Sequence, residues 1–407
     1  MPRLLRAVRL LFMLGQLFFI AVSIYQSVIT LLGRMRPQPR HVPLTSGGPR
    51  FGLVVCARDE ANVVSGTVMS LRAQEYPADL YEVLVVAHNC NDNTASLAAR
   101  AGARVLELNT DRPGKVYPML AGLREMGDRC DFIGVFDADS RFPSTLLATV
   151  AAAADGEDCI QVEVVPRETD DWLARGYGLG RRSRNVFWWR PREALGLGAT
   201  LTGTGFFIRP HLMADLLENP RTLTEDLELT ARLYATGKGV AYVSSTYVAV
   251  GEPHAFKTSV KQRLRWVRGH FSVIRYDWPQ LARHALKGDA RAFDMALYML
   301  VPTRLLTRTA VTGAAGLAVL RVPGALPPPL LGVALAGEWV LPAVIAVRDR
   351  LVPLNRAGVS LAIRHGVLSL LWFPIGLWGL VTASVHAWDG SPRAPIPERD
   401  DHAVPSA

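Results

Sequence analysis

The stretch Phe132-Ile133-Gly134-Val135-Phe136-Asp137-Ala138-Asp139 joins an apolar run to a pair of aspartates. The run predicts a strand buried on both faces, because it lacks the alternation of apolar and polar residues that a half-exposed strand shows. Asp137 and Asp139 are two residues apart, so an extended backbone would send both side chains to the same side. Two such carboxylates can hold a hard divalent cation such as Mg²⁺ or Mn²⁺. The alternative is a polar loop or a helix cap.

Two similar apolar runs precede this stretch, at residues 51–56 and 82–87, and segments of helical composition follow each of them, at 62–74 and 94–101. Strands that alternate with helices predict a largely parallel sheet. Ligands of such sheets bind beyond the carboxyl ends of the strands. Three polar segments fall there, at residues 57–60, 88–92 and 137–139. We therefore predict an α/β fold with a nucleotide pocket at this edge of the sheet.

The sequence Thr224-Glu225-Asp226 places an acidic pair before a helix-like run. A desolvated carboxylate can act as a general base, because it can remove the proton of an attacking hydroxyl. Asp226 is the candidate base, with Glu225 in support. The alternative is structural: Thr224 would cap the helix, and the two acids would complement the helix dipole.

Gln262, Arg265 and Trp266 lie at helical positions i, i+3 and i+4, so one helix face can present all three. Arginine pairs with phosphate oxygens in a bidentate manner, and tryptophan can stack on a sugar ring. We predict that this face closes over the site. The alternative is a basic amphipathic helix at 257–268 that lies on a membrane surface.

The 407-residue chain carries long apolar segments towards both ends. Residues 10–32 have no charged side chain and are long enough to cross about 30 Å of hydrocarbon, so they predict a transmembrane helix, with a secretory signal as the alternative. Three later apolar blocks predict three more spans, at residues 293–320, 330–347 and 361–387. Arg304 and Arg308 interrupt the first of these blocks, for which an interfacial helix followed by a short span is the alternative.

The net charge of +9 at pH 7 does not indicate a nucleic-acid partner, because the basic residues are dispersed and many flank the apolar blocks. Membrane lipids with anionic headgroups would attract those residues instead. The four cysteines contain no Cys-x-x-Cys pair, so the sequence indicates neither a zinc site nor a disulfide framework.

Taken in order, the motifs resemble those of the membrane-bound, inverting members of glycosyltransferase family 2. That class includes cellulose, hyaluronan and chitin synthases and bacterial synthases of surface polysaccharide. The resemblance covers residues 50–275 and extends to the flanking spans. The motifs that carry it are Ala57-Arg58-Asp59-Glu60, His88-Asn89-Cys90-Asn91-Asp92-Asn93-Thr94, Lys115, Asp137-Ala138-Asp139, Thr202-Gly203-Thr204-Gly205, Thr224-Glu225-Asp226 and Gln262-Arg263-Leu264-Arg265-Trp266.

The resemblance implies a GT-A fold, a UDP-activated sugar donor, and Mg²⁺ or Mn²⁺ held by Asp137 and Asp139. It implies that Asp226 is the catalytic base, with Glu225 beside it. The residues implied for the donor nucleotide are Ala57, Arg58, Glu60, His88, Asp92, Lys115, Asp137, Ala138 and Asp139. Those implied for the acceptor are Thr204, Gly205 and Trp266, and those implied for the diphosphate gate are Gln262 and Arg265. His88 departs from the family pattern, which usually has an aspartate at this position.

The orientation in the membrane follows from the basic loops. The loop at 348–356 contains three arginines, which marks it as cytoplasmic. Threading the four spans from this loop places the domain at 50–275 in the cytosol, where nucleotide sugars occur. The basic stretch 34–40 agrees with this orientation, whereas the basic N-terminus opposes it. We expect an integral protein of the cell membrane with a cytosolic catalytic domain.

The expected organisation has four parts: an N-terminal span and basic linker at 1–49, a GT-A domain at 50–275, an interfacial segment with three spans at 276–390, and a disordered tail at 391–407. The expected activity is inverting, metal-assisted transfer of a hexose or N-acetylhexosamine to a hydroxyl of a growing polysaccharide or oligosaccharide. One alternative is transfer of a single sugar to a membrane lipid or a lipid-linked carrier. Another is a catalytically silent membrane subunit that binds a nucleotide or a polymer.

Overall fold

The computed structural model describes residues 2–44, 46–112, 114–301 and 304–383, with side chains from residue 6 onward. The tail expected at 391–407 and the end of the last apolar block, at 384–387, lie outside the described residues.

The strands of the described residues form one seven-stranded sheet. They are β1 (Phe51–Ala57), β2 (Tyr81–His88), β3 (Arg104–Leu108), β4 (Phe132–Asp137), β5 (Cys159–Pro166), β6 (Phe206–Ile208) and β7 (Ala241–Val250). Their order across the sheet is β3-β2-β1-β4-β6-β5-β7. Strand β6 runs antiparallel to both its neighbours, and the remaining neighbouring pairs are parallel. The predicted α/β fold with a mostly parallel sheet is therefore confirmed.

Helices precede, connect and follow the strands. They are α1 (Pro2–Arg34), α2 (Val64–Arg72), α3 (Thr94–Arg100), α4 (Val116–Met126), α5 (Leu146–Ala153), α6 (Trp172–Arg184), α7 (Arg190–Leu195), α8 (Pro210–Leu217), α9 (Glu225–Ala235), α10 (Phe256–Tyr276), α11 (Trp278–Ala285), α12 (Ala290–Leu300), α13 (Arg304–Val319), α14 (Pro328–Leu335), α15 (Leu341–Arg348), α16 (Arg356–Leu370) and α17 (Trp372–Val381). Short π-helical segments, Asn185–Trp189 and Ala336–Val340, join α6 to α7 and α14 to α15.

Helices cover both faces of the sheet, so the central strands are buried on each side. Leu53 and Val54 are neighbours in β1, yet they belong to different hydrophobic cores. One core includes Met119 of α4 and Leu229 of α9, and the other includes Val68 of α2. This double burial explains why the strands are apolar without alternation, since each fully buried large side chain contributes about 1.5–3 kcal/mol.

Among the described residues, three helical segments are long and apolar enough to cross a membrane: Arg6–Arg34, Pro328–Arg348 and Arg356–Val381. Each exposes apolar side chains, among them Leu11, Val344 and Leu377. Such surfaces are typical of helices that face lipid, because a soluble helix buries its apolar stripe. These helices indicate that the protein associates with a membrane. They correspond to three of the four predicted spans.

The fourth predicted span, at 293–320, is divided between two helices. Helix α12 ends at Leu300, ahead of Pro302 in the sequence, and α13 begins at Arg304. A proline disfavours helical geometry in the residue before it, which accounts for the end of α12. Met295 and Met299 of α12 are buried in the same core as α4 and α9. Helix α12 therefore packs on the α/β domain, and α13 alone continues the apolar block.

Candidate active site

The aspartate pair lies at the carboxyl end of β4, as predicted. Asp137 is the last residue of the strand, and Asp139 is 3% exposed in the turn that follows. Hydroxyl groups hold this turn: the backbone N–H of Asp137 donates to Thr204 Oγ1 at 3.1 Å, and Thr67 Oγ1 donates to the carbonyl of Ala138 at 2.5 Å. The turn is therefore fixed from two sides, and its oxygen-only side chains suit a hard divalent cation.

Lys115 connects the aspartate pair with the glycine-rich loop at 202–205. Its ammonium group donates to Asp137 Oδ1 at 2.7 Å and to the carbonyl oxygen of Gly203. Burial alone would lower the pKa of Lys115, but the negative charges of Asp137 and Glu225 raise it above its ordinary value. Lys115 is thus a cation at neutral pH, and it is one of the residues that the family resemblance implies for the donor nucleotide.

The acidic pair of the Thr-Glu-Asp motif lies beside the same loop. Glu225 is the first residue of α9, and a Cβ added to Gly203 would lie 3.4 Å from Asp226 Oδ2. The other oxygen of Asp226 accepts a hydrogen bond from the backbone N–H of Leu227 at 2.8 Å. The structure therefore brings together three segments that are far apart in the sequence.

Burial raises the pKa of both acids of this pair. For Glu225 the negative charge of Asp226 adds to the effect of burial, whereas the positive charges of Lys115 and Arg265 oppose it. For Asp226 the hydrogen bond from Leu227 and the same two cations oppose burial. A carboxylate with a raised pKa is a stronger proton acceptor once ionised, which is the property that a general base needs.

Thr224 is the N-cap residue of α9, and Glu225 and Asp226 lie in the first turn of that helix, as the helix-dipole part of the structural alternative expects. In the described part of the chain, Thr224 makes no side-chain capping hydrogen bond. Its side chain instead packs against Gly269 of α10, where a Cβ would overlap it. This close contact places α10 directly against the start of α9.

Helix α10 carries the Gln-x-x-Arg-Trp motif. Arg265 is close enough to influence the pKa of both Glu225 and Asp226, so it belongs to the same site. Gln262 and Trp266 are half-buried on this helix. Arg263, which sequence analysis did not identify, is buried with its guanidinium 3.6 Å from the ring centroid of Tyr177. The sequence does not indicate this packing, because Arg263 has no feature that distinguishes it from the other basic residues of the helix.

On the nucleotide side, the loops after β1 and β2 are tied together. The backbone N–H of Glu60 donates to Thr94 Oγ1 at 2.8 Å, and that of Ala61 donates to Asp92 Oδ2 at 3.1 Å. Partial burial acts to raise the pKa of Asp92, but the hydrogen bonds from Thr94 and Ala61 lower it below its ordinary value. Asp92 therefore remains ionised and shapes the loop that the sequence assigns to the nucleoside.

His88 ends β2 and is 2% exposed. Burial and the positive charge of Arg58 lower the pKa of His88, so its ring is neutral at pH 7. Its Nε2 atom is buried and has no hydrogen-bond partner among the described residues. Ala57, at the end of β1, is also buried. A neutral imidazole with an unpaired nitrogen can bind a polar edge of a nucleobase.

A second cluster of possible metal ligands lies in these loops. Side-chain atoms of Asp59, Cys90 and Asp92 lie within 4.8 Å of one another. Burial raises the pKa of the Cys90 thiol, which keeps it protonated, and both carboxylates accept backbone N–H groups. Thiols are also poor ligands for Mg²⁺. This cluster fits a magnesium ion less well than Asp137 and Asp139 do.

The residues predicted for the acceptor, Thr204 and Gly205, are buried in the sheet. Gly205 donates its N–H to the carbonyl of Val135 at 2.8 Å, and its φ of 68° together with contact to Val248 explains the glycine. Gln161 holds the loop, because its amide donates to the carbonyl of Thr204 at 2.9 Å. Sequence analysis did not identify Gln161, although a polar residue within an apolar strand was an available signal.

With this geometry established, comparison with known proteins gives the family. Residues 49–269 match glycosyltransferase like family 2. The chain belongs to this family. Its fold is of the GT-A type, since the chain is similar to a mannosyltransferase of Pyrobaculum calidifontis in complex with GDP-Man and Mn²⁺. That similarity has a TM-score of 0.53 at 18% identity, and it covers 86% of this chain and 98% of the other. The protein is therefore a glycosyltransferase with a GT-A fold.

Similar sequences include β-monoglucosyldiacylglycerol synthases of cyanobacteria. That of Trichormus variabilis is 26% identical over 339 residues, which cover 78% of this chain and 68% of the relative. That of Nostoc sp. is 26% identical and covers 70% and 63% respectively. A probable glycosyltransferase of Bacillus subtilis, YdaM, is 25% identical and covers 56% of each chain. The matched regions of the two synthases are thus about two thirds of those proteins' own length.

Proposed function

We propose that this glycosyltransferase transfers a single sugar from a nucleotide diphosphate to the hydroxyl group of a membrane lipid. The similarity to lipid glucosyltransferases carries the proposal. The alignment with the synthase of Trichormus variabilis covers 78% of the chain, whereas the family match covers residues 49–269. The alignment therefore includes sequence outside the catalytic domain. The sequence-based prediction preferred a polysaccharide acceptor and kept a lipid as the alternative. The relatives support that alternative.

The proposed reaction is a direct displacement with inversion at the anomeric carbon. The Asp226 carboxylate takes the proton of the lipid hydroxyl as that oxygen forms its bond to the anomeric carbon. The bond between the anomeric carbon and the diphosphate oxygen breaks, and the nucleoside diphosphate leaves. Glu225 lies beside Asp226 in the sequence, and the negative charge of Asp226 adds to burial in raising the pKa of Glu225. Burial raises the pKa of Asp226 as well, and the positive charge of Lys115 opposes that rise.

A divalent cation, Mg²⁺ or Mn²⁺, would be held by Asp137 and Asp139. When bound, it would offset the charge that develops on the departing diphosphate. Lys115 is a fixed second cation at the same place, since it already contacts Asp137. Arg265 and Gln262 lie on the helix that faces this region and would close over the diphosphate, while Trp266 would contact the acceptor.

The proposed donor is a UDP-hexose or UDP-N-acetylhexosamine. Ala57, Arg58, Glu60 and Asp92 would surround the nucleoside, and the unpaired Nε2 of His88 would bind the base. The proposed location is the cell membrane, with the catalytic domain in the cytosol. The apolar helices at both ends of the domain agree with a lipid acceptor, because helices that enter a bilayer would hold the site near it.

The test is nucleoside diphosphate release by the full chain in lipid nanodiscs that contain diacylglycerol, across a panel of UDP- and GDP-sugars. We expect release with a specific donor, and at least about 100-fold slower release by Asp226→Asn, because loss of a general base costs about 10²–10⁴-fold. Asp215→Asn, an exposed aspartate on α8, is the matched control and should retain full activity. Equal rates for Asp226→Asn and the wild type would exclude Asp226 as the base. No release with any donor would favour the silent-subunit alternative.

A further inference from the structure

A pocket of about 490 Å³ is lined by residues none of which was predicted to bind the donor or the acceptor. Helix α4 lines the pocket through Tyr117 and Arg124, and the loop before α9 lines it through residues 218–221. Arg112 lines it as well. The pocket therefore lies between two segments that both lead into the candidate active site.

Three arginines line this pocket. Arg112, Arg124 and Arg221 are exposed, and none forms an ion pair with a described residue. Glu218 is the acid in the pocket lining, so three positive charges face one negative charge. The guanidinium of Arg112 lies 5.9 Å from the ring centroid of Tyr117, so one of the three guanidinium groups lies over an aromatic ring.

Neighbouring arginines behave differently. Arg104 pairs with Glu82 and with Glu125, and Arg129 lies 3.6 Å from Glu82. Each of these two arginines has an acidic partner, whereas Arg112, Arg124 and Arg221 form no ion pair with a described residue.

The loop that forms one wall is connected to the acidic motif. The backbone N–H groups of Arg221 and Thr222 both donate to the Glu228 carboxylate of α9, at 2.9 Å each. The hydroxyl of Thr222 donates to the carbonyl of Thr224, the residue before Glu225. A ligand that holds Arg221 would thus restrain the segment that leads into the proposed base.

We propose that this pocket binds a phosphate-type oxyanion, and that the bound anion holds the loop at 218–224 against α4. Arginine suits this ligand, because its planar guanidinium donates two parallel hydrogen bonds to phosphate oxygens. The pocket is larger than a single phosphate ion needs, so a phosphate on a larger molecule also fits. Two sources share this chemistry: free phosphate, and the headgroup of an anionic phospholipid. The proposal does not depend on the identity of the sugar donor or acceptor.

The test is hydrogen exchange of the full chain in nanodiscs, read at residues 218–224. One arm adds inorganic phosphate to nanodiscs of phosphatidylcholine, and the other replaces part of that lipid with phosphatidylglycerol. We expect exchange to slow about tenfold when phosphate is at about ten times its dissociation constant, because a ligand that binds only the closed loop suppresses opening in that proportion. Slowing in the phosphate arm identifies a free anion, and slowing only with phosphatidylglycerol identifies a headgroup.

Variants make the result specific to the pocket. The double change Arg124→Gln with Arg221→Gln should abolish the slowing, while Arg124→Lys with Arg221→Lys should retain part of it. Arg100→Gln, an exposed arginine at the end of α3, is the matched control and should behave as the wild type. Unchanged exchange in both arms, or equal slowing in the double glutamine variant, would overturn the proposal. Neither outcome depends on sugar transfer, so a failure here is separate from a failure of the proposed function.

Discussion

Lys115 is the residue at which the nucleotide side and the acidic side of the site meet. It binds Asp137 and the carbonyl of Gly203, and its charge acts on Glu225 and Asp226. Sequence analysis selected this lysine through the family resemblance, but its partner on the glycine-rich loop is 88 residues away in the chain. Such a contact depends on the folded sheet and has no local sequence pattern.

Replacing Lys115 by glutamine should lower kcat/KM for the nucleotide sugar by about 100-fold, because a preorganised cation at the developing charge is lost. Steady-state nucleoside diphosphate release measures this. Lys238→Gln is the control, since Lys238 pairs with Asp158 at 2.6 Å at the opposite edge of the sheet. A loss of equal size in both variants would show a general effect on folding and contradict the assignment.

The positive charge of Arg265 should determine how the activity depends on pH. Its positive charge lowers the pKa of Glu225 and Asp226, which burial otherwise raises. The base must be deprotonated to act, so Arg265→Gln should move the acid limb of the kcat/KM profile to higher pH. Arg275→Gln on the same helix should leave that limb in place. An acid limb at unchanged or lower pH in Arg265→Gln would contradict the placement of Arg265 beside the base.

At the scale of elements, α10 links the site with the last apolar segment. Arg263 of α10 contacts Trp372 of α17, and Val267 contacts Gly379 of the same helix. Arg268 donates to Thr382 Oγ1 at 2.9 Å. Lys257 and Lys261 of α10 are exposed, so the alternative of a basic amphipathic helix on the membrane surface stays a prediction. Several of its basic residues are used in protein contacts.

Gly379 should be intolerant of a side chain, because a Cβ there would overlap Val267 of α10. We expect Gly379→Ala to destabilise the protein by about 1–3 kcal/mol, the usual cost of overpacking, and to lower turnover through displacement of α10. Thermal unfolding in detergent measures the first effect. Gly376→Ala on the same helix is the control, since no atom of the described residues lies within 4 Å of its added Cβ. Equal melting temperatures for the two variants would contradict this packing.

The elements of the catalytic domain could be predicted from the sequence to different extents. The apolar runs at 51–56, 82–87 and 132–136 are strands, because burial on both faces leaves a strong pattern. Strand β6, three residues long and antiparallel, had no such pattern. Contacts of Gln161 and Arg263 could not be predicted, since they join residues that are distant in sequence. The apolar composition of 293–320 predicted one span, but α12 packs in the core of the catalytic domain, so its buried apolar residues contact protein.

At the scale of the whole molecule, buried polar contacts join the catalytic domain to the apolar helices. Arg192 of α7 pairs with Asp294 of α12 at 2.8 and 2.9 Å, and Tyr25 of α1 donates to the same carboxylate at 2.9 Å. Both charged side chains are almost fully buried. Near the end of α1, the hydroxyl of Thr30 donates to the carbonyl of Phe187, between α6 and α7, at 3.0 Å. The domain and the helices are thus connected at several points.

Asp294→Asn should destabilise the protein by about 3–5 kcal/mol, because it leaves the buried charge of Arg192 without its partner. The apparent melting temperature in detergent should fall clearly below that of the wild type. Asp215→Asn, an exposed aspartate of α8, should melt as the wild type does. Identical melting of Asp294→Asn and the wild type would show that this ion pair does not hold the domain to the helices.

The central claim concerns the acceptor, and the most direct measurement is the mass and anomeric configuration of the product. The protein would be supplied with diacylglycerol and the donor that it uses, and the lipid extract would be analysed by mass spectrometry and NMR. We predict a diacylglycerol that carries one hexose or N-acetylhexosamine, with the anomeric configuration opposite to that of the donor. A product with many sugar units, or one with retained configuration, would contradict the account.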